Sequence, residues 1–160
     1  MTTLLEDEFD QLRTGLFSAQ VGAHTEYHYL PEAAPHGNWN VACFASGLGA
    51  GTAWHVRETD DGKTLAQTFE SRRRDTHPMV IAGFPEWEDY RLEVSFTPQG
   101  SMGRTGIVFR YRNNRCYYFF GLVEGVAQIV KVDHGTGYRQ VTEEVLASVP
   151  CSWDVGTRCA

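Results

Sequence analysis

From residue 90 to residue 96 the chain alternates without a break. Tyr90, Leu92, Val94 and Phe96 fall on one side of an extended strand, and Arg91, Glu93 and Ser95 fall on the other. That period of two predicts a half-buried antiparallel strand, ended by Pro98-Gln99-Gly100. Residues 105–112 predict a second strand, with Ile107, Phe109 and Tyr111 on one face and Gly106, Val108, Arg110 and Arg112 on the other. Asn113-Asn114 reads as a turn, because Asn tolerates left-handed backbone angles. Residues 116–123 are apolar on both faces, which predicts a central strand. Glu124-Gly125 turns this strand into residues 127–132, and Asp133-His134-Gly135-Thr136-Gly137 turns again toward residues 138–141. The second half therefore predicts an antiparallel meander.

The first half carries the same signals less regularly. Residues 52–58 and 63–69 flank Thr59-Asp60-Asp61-Gly62 and predict a hairpin with an Asp-Gly turn. Residues 77–82 form a short apolar run closed by Gly83. Helical spacing is confined to residues 8–16, through Phe9, Leu12 and Leu16, and to a weak candidate at 143–148. Short strands punctuated by Gly-rich turns predict an all-β chain, an antiparallel β-sandwich. A chain of 160 residues is a prior for a single domain over its whole length.

Charge narrows the function. With 14 Lys+Arg against 20 Asp+Glu, the net charge is −6, and the only basic cluster, Arg72-Arg73-Arg74, is followed at once by Asp75. A non-specific nucleic-acid binder needs a basic face and is disfavoured. No apolar stretch approaches the roughly 20 residues that span a bilayer, so no membrane partner is expected. Met1-Thr2-Thr3-Leu4-Leu5-Glu6-Asp7-Glu8 shows no signal peptide, which leaves the cytoplasm or secretion after processing. The cysteines, Cys43, Cys116, Cys151 and Cys159, form no C-x-x-C pair. Cys116 lies in an aromatic run and is expected to pack there, while Cys151 and Cys159 leave one bridge open.

The strand succession resembles the concanavalin A-like jelly-roll superfamily, above all the laminin-G-like and family-16-type sandwich domains of bacterial polysaccharide-processing proteins. The likeness rests on Trp54 with the Asp61-Gly62 turn and Leu65-Ala66-Gln67, then Trp87-Glu88-Asp89-Tyr90-Arg91-Leu92-Glu93-Val94, Gly106-Ile107-Val108-Phe109-Arg110-Tyr111 and Cys116-Tyr117-Tyr118-Phe119. Leu5-Glu6-Asp7-Glu8-Phe9 is similar to the first strand of such domains. The resemblance implies that Trp153-Asp154-Val155-Gly156 leads into a further strand and hairpin. The chain is thus expected to lack its last strands, which the rest of a larger polypeptide or a second chain would supply.

The resemblance also implies an oligo- or polysaccharide partner, held by aromatic rings and polar groups on a sheet face. Arg110 and Arg112 would project side by side with Tyr117 and Trp54 as ligand-binding residues, and a guanidinium fork suits the carboxylate of an acidic sugar. The same arginines serve equally as surface ion-pair partners of Glu93 or Glu124. A polysaccharide lyase would use Arg110 to neutralise a uronate carboxylate, His134 or Tyr118 to abstract the proton, and Tyr118 to protonate the leaving oxygen. Turn and packing roles explain His134, Tyr117 and Tyr118 as well. The readings are a carbohydrate-recognition module accessory to polysaccharide degradation, a lyase or glycoside hydrolase acting on a uronate- or rhamnose-containing glycan, and an assembly sandwich that pairs with another chain. Whether the chain is an enzyme stays open.

His24, Glu26 and His28 share one face of a strand. The outer pair would stand roughly 13 Å apart at about 3.3 Å per residue, too far for one metal ion. No cofactor is expected, apart from a structural calcium that Asp60-Asp61-Gly62 or Asp133-His134-Gly135 would ligate if those residues were not simply turns. The paired-carboxylate strand of retaining glycosidases is absent, as are the phosphate-loop, dinucleotide and serine-hydrolase signatures.

Overall fold

The computed structural model describes residues 2–17, 20–21, 37–43, 52–69, 77–100, 103–136 and 140–159, and no α-helix occurs among them. The protein is all-β. Its strands are β1 (Gly15–Leu16), β2 (Gln20–Val21), β3 (Gly37–Cys43), β4 (Trp54–Thr59), β5 (Gly62–Gln67), β6 (Pro78–Gly83), β7 (Arg104–Asn113), β8 (Cys116–Val123), β9 (Val126–His134) and β10 (Val141–Pro150). They fall into two compact units, Met1–Pro85 and Glu86–Ala160. The His24, Glu26 and His28 face and the Arg72-Arg73-Arg74 cluster lie outside the described residues.

In the first unit β1, β4 and β5 form one sheet, and β2, β3 and β6 form another in which only the β2–β3 pair is parallel. Phe17, Val41 of β3 and Val56 of β4 make a common buried cluster, with Leu12, Trp39, Trp54, Leu65 and Val80 packed on it. Each sheet therefore buries an apolar face in one core, a two-layer arrangement. The hairpin closes at Thr59 and Gly62 as expected. Gly62 takes a φ of 118°, which L side chains rarely adopt, and a Cβ there would stand 3.2 Å from Asp10 Oδ1, so any substitution is strained and must also displace the Asp10 carboxylate.

Residues 8–16 do not form the helix that their apolar spacing suggested. Asp7 Oδ1 accepts the Phe9 amide at 2.7 Å, the Leu12 amide donates to the Phe9 carbonyl at 3.0 Å, and Gly15 follows at a φ of 117°. A lone turn results, and its apolar residues find tertiary partners: Phe9 lies 5.5 Å from the Trp39 ring, and Leu12 joins the core. Asp7 Oδ2 also accepts Trp39 Nε1 at 2.6 Å, so the stretch expected to be a first strand is a side-chain anchor instead. Lys63 ties the turn to the hairpin, its Nζ donating to the Asp10 and Leu12 carbonyls at 3.0 and 2.8 Å.

The second unit holds an antiparallel meander, as predicted, in the order β10-β9-β8-β7, with β8 internal; its fourth strand is Val141–Pro150 and not residues 138–141, and Asp133 and His134 end β9 where a turn was expected. Glu124 and Gly125 both have positive φ, 43° and 91°, which matches the twist of a tight hairpin. The β7–β8 turn falls one residue later than expected, on Asn114-Arg115, because Asn113 pairs with Cys116 and its Oδ1 caps the Arg115 amide at 2.9 Å. The helical candidate at 143–148 is instead the middle of β10, where Val141, Thr142, Val145 and Val149 suit a ladder with β9. Tyr138 lies outside the described residues.

One further expectation in this unit fails. Residues 90–95 alternate but form no ladder with the described residues; among them Phe96 alone pairs, with Cys159. Alternation specifies two faces, whereas a strand also requires a neighbour at its edge. Trp153-Asp154-Val155-Gly156 belongs to a turn: Gly156 has a φ of 84° and donates to the Pro98 carbonyl at 2.8 Å, and Thr157 donates to the Asp154 carbonyl at 3.1 Å. Cys151 and Cys159 are free thiols.

Candidate functional site

Cross-strand register sorts the side chains of β7–β10 onto two faces. Phe109 pairs with Tyr118, Tyr118 with Lys131, and Lys131 with Glu144, so these side chains share one face. The Phe109 and Tyr118 rings stack at 5.5 Å with 27° between their planes. Beside them Lys131 Nζ lies 3.3 Å from Asp133 Oδ2, with both side chains well exposed. Asp133 Oδ1 accepts the His134 amide at 2.9 Å and the Cys116 thiol at 3.8 Å.

These contacts set the protonation of the face. The His134 amide first and Lys131 second hold the Asp133 carboxyl below its usual range, and Asp133 raises the Lys131 ammonium in return. Burial, then the Asp133 charge, push the Cys116 thiol up, and the guanidinium of Arg112 works against them. The face thus presents a stacked aromatic pair next to a fixed ion pair. Further along it turns apolar, into a shallow groove lined by Phe120, Ala127, Ile129, Ala147 and Val149.

The opposite face is a core face. Tyr117, Phe119, Val130 and Val132 are all buried there. Arg104 lies 5.0 Å over the Phe119 ring and binds Glu143 through both guanidinium nitrogens, at 3.1 and 2.8 Å. Tyr111 stacks on Tyr117 at 6.3 Å, and burial first, then Tyr117, push its hydroxyl far above the usual phenol range. His134 alternates onto this side of β9, where burial first and Arg115 second hold its imidazole below its ordinary pKa.

The anticipated sites are consequently separated. Tyr118 and His134 project from opposite faces of the sheet. A register shift between Phe109 and Asn113 sets Arg110, Tyr111 and Arg112 opposite Tyr117 alone, with Arg110 at a φ of 49°. This bulge breaks the alternation, so Tyr111 no longer shares a face with Phe109, and Arg110 is turned out to solvent. Arg112 is exposed, and its charge reaches Cys116. Tyr117, expected to touch ligand, is 3% exposed and is a packing residue. Trp54 packs on the Val41–Val56 core of the first unit, and its Nε1 has no hydrogen-bond partner among the described residues.

Lys131 was not anticipated. The signal for it was Lys131 and Asp133 at a spacing of two, after the apolar Ile129 on the same side of β9. Among the described residues no cluster of His, Cys, Asp or Glu could hold a metal ion, and Asp60-Asp61 serves as the hairpin turn. A scan of protein-family models finds no match to this chain, and searches of curated proteins and of solved structures find none either.

Proposed function

We propose that the chain is a carbohydrate-recognition module of concanavalin A-like, jelly-roll type, and that the sheet face carrying Phe109, Tyr118, Lys131 and Asp133 receives the saccharide. One observation carries this reading: a stacked aromatic pair adjoins an exposed ion pair on one face of a hydrogen-bonded meander. The Tyr118 ring supplies an apolar surface for sugar C–H groups, and its hydroxyl can donate and accept. Lys131 donates to hydroxyls or to a uronate carboxylate, and Asp133 accepts from hydroxyls. The nearby positive charge of Arg112 favours an acidic sugar over a neutral one.

A lyase reading has less support. Its base and acid would be His134 and Tyr118, and those side chains leave the sheet in opposite directions. Binding without turnover is the simpler use of this face. Titration calorimetry against neutral and uronate-containing oligosaccharides tests it. Tyr118→Ala is expected to weaken binding about tenfold, the loss of roughly one aromatic contact. Lys131→Gln is expected to weaken acidic ligands more than neutral ones. Absence of binding to every saccharide class, or binding indifferent to both substitutions, removes this reading.

A further inference from the structure

Residues 90–95 carry the alternation of a strand, yet their backbone groups bond to no described residue. Pairing begins and ends at Phe96, whose N–H donates to the Cys159 carbonyl at 2.9 Å and whose carbonyl accepts the Cys159 amide at 2.7 Å. Tyr90, Leu92 and Val94 are 43%, 46% and 45% exposed. Arg91 and Glu93 are also exposed and form an ion pair with each other within the chain. A row of unpaired N–H and C=O groups of this kind is a template for another strand. Alternate residues of a strand address opposite edges. Phe96 faces Cys159, so in strand geometry Tyr90, Leu92 and Val94 share that edge, and Arg91, Glu93 and Ser95 address the other.

We infer that this second edge is taken by the same segment of a second copy of the chain, paired antiparallel about a twofold axis at Leu92. Charge complementarity selects both the occupant and the register. With Leu92 against the partner's Leu92, Tyr90 meets the partner's Val94 on one face. On the other face Arg91 meets the partner's Glu93, and by symmetry Glu93 meets the partner's Arg91. Sliding the pairing one way brings Glu93 against the partner's Glu93, and sliding it the other way brings Arg91 against the partner's Arg91; like charges directly opposite are destabilising. Offsets that flip the faces set charged residues against apolar ones. One symmetric register therefore satisfies the charges and the apolar face together, and the interface is isologous, as a closed dimer requires. This dimer is independent of the saccharide face.

Light scattering coupled to size-exclusion chromatography, over a concentration series of the full chain, tests it. The 18.0 kDa chain is expected to elute as a dimer at high concentration. Arg91→Glu and Glu93→Arg should each weaken the dimer roughly tenfold or more, because each sets like charges opposite one another on both sides of the twofold axis. The double variant Arg91→Glu/Glu93→Arg restores opposite charges and should restore the dimer, a rescue that loss of folding cannot imitate. Hydrogen exchange should show the amides of residues 91 and 93 protected in the dimer and open in the single variants. A chain that stays monomeric at every concentration overturns the inference. So does a dimer indifferent to the charge swaps, which places the contact elsewhere, or protection of residues 91 and 93 in the monomer, which means that the edge is filled from within the chain.

Discussion

Cys116 shows how one carboxylate serves several neighbours. Asp133 accepts the thiol, the His134 amide and Lys131, and each contact lowers its own pKa while its charge raises that of the thiol. A thiol raised above its ordinary value holds less thiolate at a given pH and reacts slowly. Alkylation of Cys116 by iodoacetamide at pH 8, followed by peptide mass mapping, is expected to be slow in the native chain. Asp133→Asn removes a negative charge and an acceptor that both hold the thiol up, and should speed it measurably. Burial, the larger cause of the shift, persists in that variant, so the thiol should remain slower than in the unfolded chain. An unchanged rate would mean that Asp133 does not control the thiol.

At the scale of elements, Gly106 of β7 pairs with Gly121 of β8, glycine against glycine. A Cβ on Gly106 would stand 2.2 Å from the Phe120 carbonyl oxygen, and one on Gly121 would stand 2.3 Å from that of Thr105 and 2.7 Å from the Phe119 ring. Backbone cannot yield to such contacts without opening the ladder. Gly121→Ala is therefore expected to cost about 1–3 kcal/mol, as overpacking does, which lowers the melting midpoint by roughly 4–8 °C per kcal/mol in a unit of this size. Differential scanning calorimetry measures this, and Gly125→Ala, which meets no atom within 4 Å but keeps a positive φ, separates crowding from backbone strain. The meander was legible because β8 is apolar on both faces and Glu124-Gly125 is a strong turn. The bulge at residues 110–112 was not, since nothing in Arg110-Tyr111-Arg112 departs from strand alternation and only the register with Cys116 and Tyr118 creates it. That one irregularity took Tyr111 off the face of Phe109 and Arg110 out of the expected site. The β10 strand was misjudged for a related reason: Glu143, Glu144, Leu146 and Ala147 are residue types that favour a helix, and the ladder with β9 overrides that local preference.

For the whole molecule, pH acts through a small set of groups whose contributions have definite signs. His134 is held below its ordinary pKa of 6.5, mainly by burial, so the unfolded chain takes up a proton there before the folded chain does. Stability contributed by the neutral imidazole is complete above 6.5 and declines as pH falls from 6.5 toward the lower folded value. Asp133 has the same sense in a lower window: its depressed pKa stabilises the fold above the ordinary carboxylate value of 3.8, and that contribution is lost as pH falls through the folded value. Between pH 7.5 and 5.5 the slope therefore belongs to histidine and not to Asp133. Over the same interval the net charge of −6 falls toward zero at a pI near 5.5, which removes the repulsion that keeps exposed Phe120 and Val149 of different molecules apart. Urea midpoints should drop between pH 7.5 and 5.5 and drop less in His134→Gln, whereas light scattering should rise near pH 5.5 in both proteins. The two readouts separate the causes, because the substitution removes a titrating imidazole and leaves the exposed apolar face as it is. Equal urea slopes in the two proteins would assign the pH response to other histidines.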